Sequence, residues 1–366
     1  IDGVPVTSPL PTITVIAGTP ARLLVLAGAG QQANAGSALP VAPIVGIYDA
    51  LDNPIAGIPV TFTLTAGGGS MSGGAQTTDG EGRAAVTGWT LGTIAGENRL
   101  MAAAQSLSAT ITATGVPGPA SPATSQLLVS DDTVAAGSAV ILTVVTRDQY
   151  GNQLATGGRT VLFLASGGTT TGAISQTTDG ADGRYLATFS GVTAGTATTI
   201  RATIDGATVT SAAPTVSVTP GPPATLLIVA GNNQTAQVAR AVTLPPAVRV
   251  RDAQGNAVPG AIVVFAAAGG SGSVAGGFQT SDATGLATVG SWTLGTLAGS
   301  QTLTASAGGA SVLLGATATP GPLSLSGTGV TVTDSVVAAG SVITLSLQTA
   351  DEYGNPIALT GRSVRF

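Results

Sequence analysis

Ile58-Pro-Val-Thr-Phe-Thr-Leu-Thr65 alternates apolar and polar side chains with a period of two. In an extended chain successive side chains point to opposite faces, so Ile58, Val60, Phe62 and Leu64 share one face and Thr61, Thr63 and Thr65 the other. That is a strand with one face in a core and one in water. The apolar face returns 203 residues later as Ala261, Val263, Phe265 and Ala267, and between the two as Val161, Phe163 and Ala165. Phe62, Phe163 and Phe265 are therefore expected core residues.

A turn sequence precedes each of these strands. Asp49-Ala-Leu-Asp-Asn-Pro54 reappears as Asp148-Gln-Tyr-Gly-Asn152, Asp252-Ala-Gln-Gly-Asn256 and Asp351-Glu-Tyr-Gly-Asn-Pro356, at intervals of 99, 104 and 99 residues. A fixed period of this size is the mark of a tandem array. The longer period of 203 pairs Trp89 with Trp292 and Tyr150 with Tyr353, so two unit types alternate, A-B-A-B. Type A carries the Trp; type B lacks it and has two more residues between its Asp and the following Phe. The implied organisation is 1–18 as the last strand of a preceding unit or a linker, 19–118 type A, 119–221 type B, 222–321 type A, and 322–366 an incomplete type B.

Other alternating runs, such as Ala139 to Val145 and Leu226 to Val229, are separated by Gly, Asn, Asp and Pro clusters, and no segment shows a helical apolar stripe. Short strands at this spacing within about 100 residues predict a two-sheet antiparallel sandwich for each unit. The joints, including Pro117-Gly-Pro119, Pro220-Gly-Pro-Pro223 and Pro320-Gly-Pro322, are short and proline-stiffened, which predicts an elongated rod. Thr12 to Val15 align with Thr215 to Val218, the end of a unit, and Phe366 aligns with Phe163. The expectation is a window on a longer polypeptide, or end units completed by strands from a neighbouring molecule.

Composition narrows function. Only 8% of the 366 residues are charged, the net charge is −5, and there is no His, Cys or Lys. Imidazole and thiol catalysis, Schiff bases, P-loop phosphate binding, disulfides and nitrogen- or sulfur-ligated metal sites are all excluded. The twelve arginines are scattered, which argues against a nucleic-acid partner. No apolar run is long enough for a spanning helix, so no transmembrane segment is expected. Carboxylate-pair hydrolysis survives this filter, but nearly all of the seventeen acids lie in repeated turns, unlike an asymmetric catalytic constellation. The expectation is that the protein is not an enzyme.

The order Asp-x-x-Gly-Asn, Val-x-Phe strand, Gly-rich Gly67-Gly-Gly-Ser-Met-Ser-Gly73, Thr78-Asp-Gly-Glu-Gly-Arg-Ala84 and a closing Leu100-x-Ala102 strand resembles the bacterial immunoglobulin-like domains of the invasin and intimin type. Thr178-Asp-Gly-Ala-Asp-Gly183 and Ser281-Asp-Ala-Thr-Gly-Leu-Ala287 repeat the signature, and the resemblance covers nearly the whole chain. It implies an all-β fold of tandem immunoglobulin-like antiparallel β-sandwiches, export to the cell surface, and a spacing or adhesive role.

Two motifs have competing readings. Asp148, Asp252 and Asp351 are expected as structural turn caps, one carboxylate per turn being too few for a calcium site. The richer calcium candidates are Asp131 with Asp132, and Asp179 with Asp182; no other cofactor is expected. Trp89 and Trp292 are expected in the core, with Leu91 and Leu294 facing the same side, the rival being a sugar-stacking platform. The leading reading is thus a structural or adhesive stalk of an extracellular surface protein or fibre, polymerising by strand exchange in its sharper form. The alternative is a carbohydrate-binding accessory module of a secreted polysaccharide-active enzyme. Expected partners are other copies of the chain or further units of it, and a cell-surface or glycan receptor.

Overall fold

The computed structural model describes residues 5, 9 and 11–359, and among these there is no helix. Buried apolar side chains gather in three separate clusters drawn from residues 23–113, 127–218 and 226–318. The chain exposes 19720 Å², whereas one compact body of its mass would expose roughly 13,000 Å². The excess is what serial sandwiches produce: an all-β array of tandem immunoglobulin-like units.

In residues 19–118 one sheet pairs Arg22–Ala27, Ile44–Tyr48 and Arg83–Ala85. The facing sheet runs Gln31–Asn34, Leu107–Val116, Gly96–Ala104, Pro59–Ala66 and Ala75–Thr77. The first two strands lie in different sheets, with Gln31–Asn34 parallel to the closing strand Leu107–Val116, so the start of the chain ties both layers together. Residues 222–321 repeat this at the 203-residue shift down to the pairing register: Phe62 opposite Ala102, and Phe265 opposite Ala305.

Residues 119–221 depart from the pattern in one respect. Here Arg184–Thr193 is a single ten-residue strand where type A has two short pieces; Thr171–Ile174 pairs with it, as Ser70–Ser72 pairs with Gly88–Thr90 in type A, but no strand takes the place of Ala75–Thr77 beside Val161–Ser166. In type A, Thr78 holds the equivalent segment against the strand start, its Oγ1 accepting from Ile58 N and donating to Ile55 O. The two additional residues of type B lengthen that connection. Thr178–Asp179 pairs with Leu186 and Tyr185 of the opposite sheet instead, which leaves Val161–Ser166 at the edge of its own.

Residues 322–359 contribute one two-stranded sheet, Ser324–Val332 with Leu345–Ala350. At the other end, residues 11–17 form no strand, and Ile13, Val15 and Ile16 are exposed. The alternation at Thr12 to Val15, read above as the last strand of a preceding unit or a linker, pairs with no strand among the described residues.

Candidate functional site

The side chains that recur with fixed chemistry sit at the joints. Asp148 is fully buried and acts only as an acceptor. Its Oδ1 receives the amides of Tyr150 and Asn152, each at 2.9 Å, and its Oδ2 receives Gly118 N at 3.0 Å and Asn152 Nδ2 at 2.9 Å. A carboxylate accepting several amides is a strong, pre-oriented cap. Gly118 is the middle residue of the Pro-Gly-Pro joint, so one carboxylate fixes both the turn and the linker. Asp252 does the same to Gly221 and Asp351 to Gly321. Asp49 does it to Gly18. The fourth residue of the turn has positive φ in every case: Gly151 at 88°, Gly255 at 87°, Gly354 at 86°, and Asp52 at 66°. Only the first turn places a side chain there, and Asp52 compensates with an ion pair to Arg22.

The asparagine spans the joint. Asn152 Nδ2 donates to Thr93 O at 2.8 Å and its Oδ1 accepts from Ala95 N at 2.9 Å, both in the preceding unit. Asn256 makes the same pair with Val192 O and Ala194 N, and Asn355 with Thr296 O and Ala298 N. Its planar amide thus mimics a strand partner, presenting one donor and one acceptor to a loop that offers one of each. Tyr150 also crosses this joint to lie over Gly36, where a Cβ would come within 2.6 Å of its hydroxyl, and Gln254 lies over Gly137 at the next. Electrostatics follow the geometry. Burial pushes the carboxyl of Asp351 up, but the hydrogen bonds from Asn355, Gly321 and Tyr353 outweigh it and set its pKa at about 2, below the ordinary 3.8. Asp148 and Asp252 are shifted downward by the same contest.

Comparison with known proteins places this arrangement. A model of invasin domain 3 matches residues 121–221. Residues 121–221 are thereby identified as a bacterial immunoglobulin-like domain of the invasin type. The structure of the Escherichia coli adhesin FdeC is similar to 82% of this chain and 99% of its own, at 25% identity and a TM-score of 0.59. Invasin, described as a bacterial integrin-binding protein, is similar over 84% of this chain and 62% of its own, at 20% identity and a TM-score of 0.44. The chain therefore spans less than two thirds of the invasin structure. Yersinia pseudotuberculosis InvD is similar over 79% of this chain and 96% of its own, at 20% identity and a TM-score of 0.45. No curated protein matches.

Within these immunoglobulin-like domains, Trp89 and Trp292 are fully buried beside Leu91 and Leu294. The sugar-platform reading is corrected accordingly: a stacking surface must be exposed, and neither indole is. Trp292 Nε1 donates to Ser271 O at 2.9 Å, while Trp89 Nε1 finds no partner among the described residues. Phe62 and Phe265 are buried, but Phe163 is only partly so. Its sandwich edge is open, and Tyr185 and Phe189 fill the type B core in place of a Trp.

The calcium candidates do not converge. Asp131 and Asp132 cap Thr133; Asp179 accepts from Ala181 N and Gly158 N, and Asp182 from Arg184 N. These oxygens are committed to turns, and among the described residues no three acidic side chains cluster. No described helix is long and apolar enough to cross a membrane. Sequence reasoning placed the turn aspartates but missed the linker glycine amides and the cross-joint role of the asparagine. The available signal was internal: Asn stands in all four turns, one position beyond the residue that already supplies the positive φ.

Proposed function

We propose that the chain is the shaft of a bacterial adhesive surface protein, non-enzymatic and extracellular, whose mechanical element is the Asp/Asn joint. The units are taken as 19–118, 119–221, 222–321 and the type B segment from 322. The observation that carries this reading is the threefold repetition of one bonding set across successive joints, where a single Asp and a single Asn tie linker, turn and preceding loop together. A shaft that presents a receptor-binding surface at a distance needs joints that resist bending, and charge-assisted, buried hydrogen bonds resist it better than a flexible linker. The likeness to an Escherichia coli adhesin supports the adhesive setting. In the sharper form of the proposal, the apolar strands of 322–359 accept strands from another molecule and extend the shaft into a filament.

Small-angle scattering of the chain tests the mechanical reading. The expected result is a single elongated particle whose maximum dimension is unchanged by salt. A distance distribution that fits only freely jointed units would refute it, and light scattering that stays at the monomer mass at every concentration would refute the filament form.

A further inference from the structure

The two unit types treat one strand edge differently. In type A the strand Pro59–Ala66 is covered: Ala75–Thr77 pairs with it, and Phe62 N donates to Gly74 O at 2.7 Å. Phe265 N donates to Gly277 O in the same way. In the 119–221 unit the corresponding strand, Val161–Ser166, pairs only with Thr198–Ile204. Asp205 N donates to Thr160 O on that side, and backbone groups alternate sides along an antiparallel strand, so those of Val161, Phe163 and Ala165 point away from it. Among the described residues no backbone group meets Phe163 from the open side; Val161 O alone receives a side chain, Thr177 Oγ1.

Apart from Thr177 at Val161 O, the edge itself carries little of the usual protection. Val161-Leu-Phe-Leu-Ala-Ser166 holds no charge and no proline, the devices that normally block edge-to-edge pairing. Leu162 and Leu164 are 61% and 63% exposed on the outer face. On the inner face a cleft of about 440 Å³ opens between Phe163, Ile174, Ser175 and Tyr185. A strand added here would find unpaired backbone at Phe163 and Ala165, an apolar outer face and room for an inward side chain.

We propose that this edge pairs antiparallel with the same edge of a second copy of the chain, joining two shafts side by side about a two-fold axis through Phe163. The occupant follows from self-complementarity. Outward backbone groups at 161, 163 and 165 are symmetric about 163, so Phe163 meets Phe163 of the second copy and Val161 meets its Ala165. The uncharged segment brings no like charges face to face, and each Leu162 packs against Leu164 of the second copy. The two Phe163 rings lie on the inner face, each closing the open flank of the other's sandwich.

Sedimentation equilibrium of the 366-residue chain over a concentration series, with hydrogen exchange read at single residues, tests this. The expected result is a reversible dimer in which the amides of Phe163 and Ala165 become protected with rising concentration while those of Leu162 and Leu164 do not change. Leu162→Lys and Leu164→Lys, both at exposed side chains, are expected to weaken the dimer at least tenfold with an unchanged circular dichroism spectrum; Ala165→Pro removes one edge donor and is expected to do the same. A chain that stays monomeric would overturn the proposal. So would a dimer indifferent to these substitutions, a dimer without protection at Phe163 and Ala165, or capture of an extended synthetic peptide of unrelated sequence by an edge that never dimerises.

Discussion

Leu142 in the 119–221 unit is completely buried, and its counterpart at the 203-residue shift, Leu345, is 38% exposed. Val140 and Ile343 differ in the same sense, at 5% and 41%, as do Leu127 and Val330, at 6% and 56%. Both regions carry the type B pattern, and in each the two opening strands pair. What separates them is partners from further along the chain. Leu142 lies against Ala187 of the Arg184–Thr193 strand, for which 322–359 has no equivalent. The joints, by contrast, are the same. Asp351 and Asn355 keep every bond that Asp148 and Asn152 make to linker, turn and preceding unit. The joint is thus a local device needing one turn, one linker and one loop, whereas the core is non-local and forms only when distant strands close over it.

The comparison is broken most strongly by adding further type B strands to residues 322–366. Appending residues 164–221 after Phe366 restores the type B continuation, and Val330, Val337, Ile343 and Leu345 are expected to become buried. At about 1.5–3 kcal/mol for each fully buried side chain, amide exchange through 345–350 is expected to slow by at least about a hundredfold. Unchanged exchange would mean that these strands do not belong to a type B sandwich. Next in size is removal of the carboxylate. Asp351→Ala strands four donors where no core holds the segment, so protection at Ala298 and Asn355 is expected to vanish. Asp148→Ala strands the same four donors, at a cost of about 3 kcal/mol or more, but the separate 119–221 core is expected to keep that unit folded while the joint loosens. Equal loss of fold in both variants would show that joint and core are one cooperative unit.

How far the sequence discloses this depends on the range of the interaction. Period-two alternation exposes the buried face of Val60 and Phe62, and of Val263 and Phe265, because a strand pattern is local and the repeat shows it twice. It misplaces Phe163, whose parity is right but whose burial depends on which sheet takes the segment 175–179, the counterpart of 75–79. That choice turns on two additional residues in a loop and on where Thr178 pairs, neither of which alternation reports. The aspartates are legible as turn caps since Asp, Gly and Asn at those offsets have local roles. Their bonds to Gly118 and Gly221 are not, because the linker amides lie thirty residues upstream, and a backbone donor leaves no trace in side-chain chemistry. The Thr12 to Val15 alternation is the opposite case, a strand pattern that pairs with no strand among the described residues.

Acid gives a graded test of the same contrast. Asp351 has a folded pKa of about 2 against the ordinary 3.8. Protons bind the open form more readily, so the joint's contribution is complete above about pH 4 and is lost as the pH falls towards 2. Residues 322–359 depend on the joint, so their exchange protection is expected to fall through that window before the near-ultraviolet dichroism of the Trp and Tyr cores changes. Simultaneous loss of both signals would place the acid-sensitive groups in the sandwiches.

The smallest expected effect belongs to the asparagine, and it separates the turn from the clasp. Asn152→Ala removes the bonds to Thr93 O and Ala95 N across the joint but leaves Asp148 with its three backbone donors. Across the joint, two neutral hydrogen bonds exchanged for water are worth about 1–2 kcal/mol, and the lost bond from Asn152 Nδ2 to the Asp148 carboxylate adds about 1.5–3 kcal/mol within the turn, so 119–221 is expected to stay folded while the spread of distances between spin labels on 19–118 and 119–221 widens. Asn355→Ala loses the equivalent pair, and with no core behind it the opening is expected to appear as roughly tenfold faster exchange at Ala298. Asn53 supplies the internal control: it caps Asp49 as the others do but makes no cross-joint bond among the described residues, so Asn53→Ala is expected to leave every inter-unit distance unchanged. A distribution between 19–118 and 119–221 that stays narrow in Asn152→Ala would assign the stiffness to the turn rather than to the amide that reaches across it.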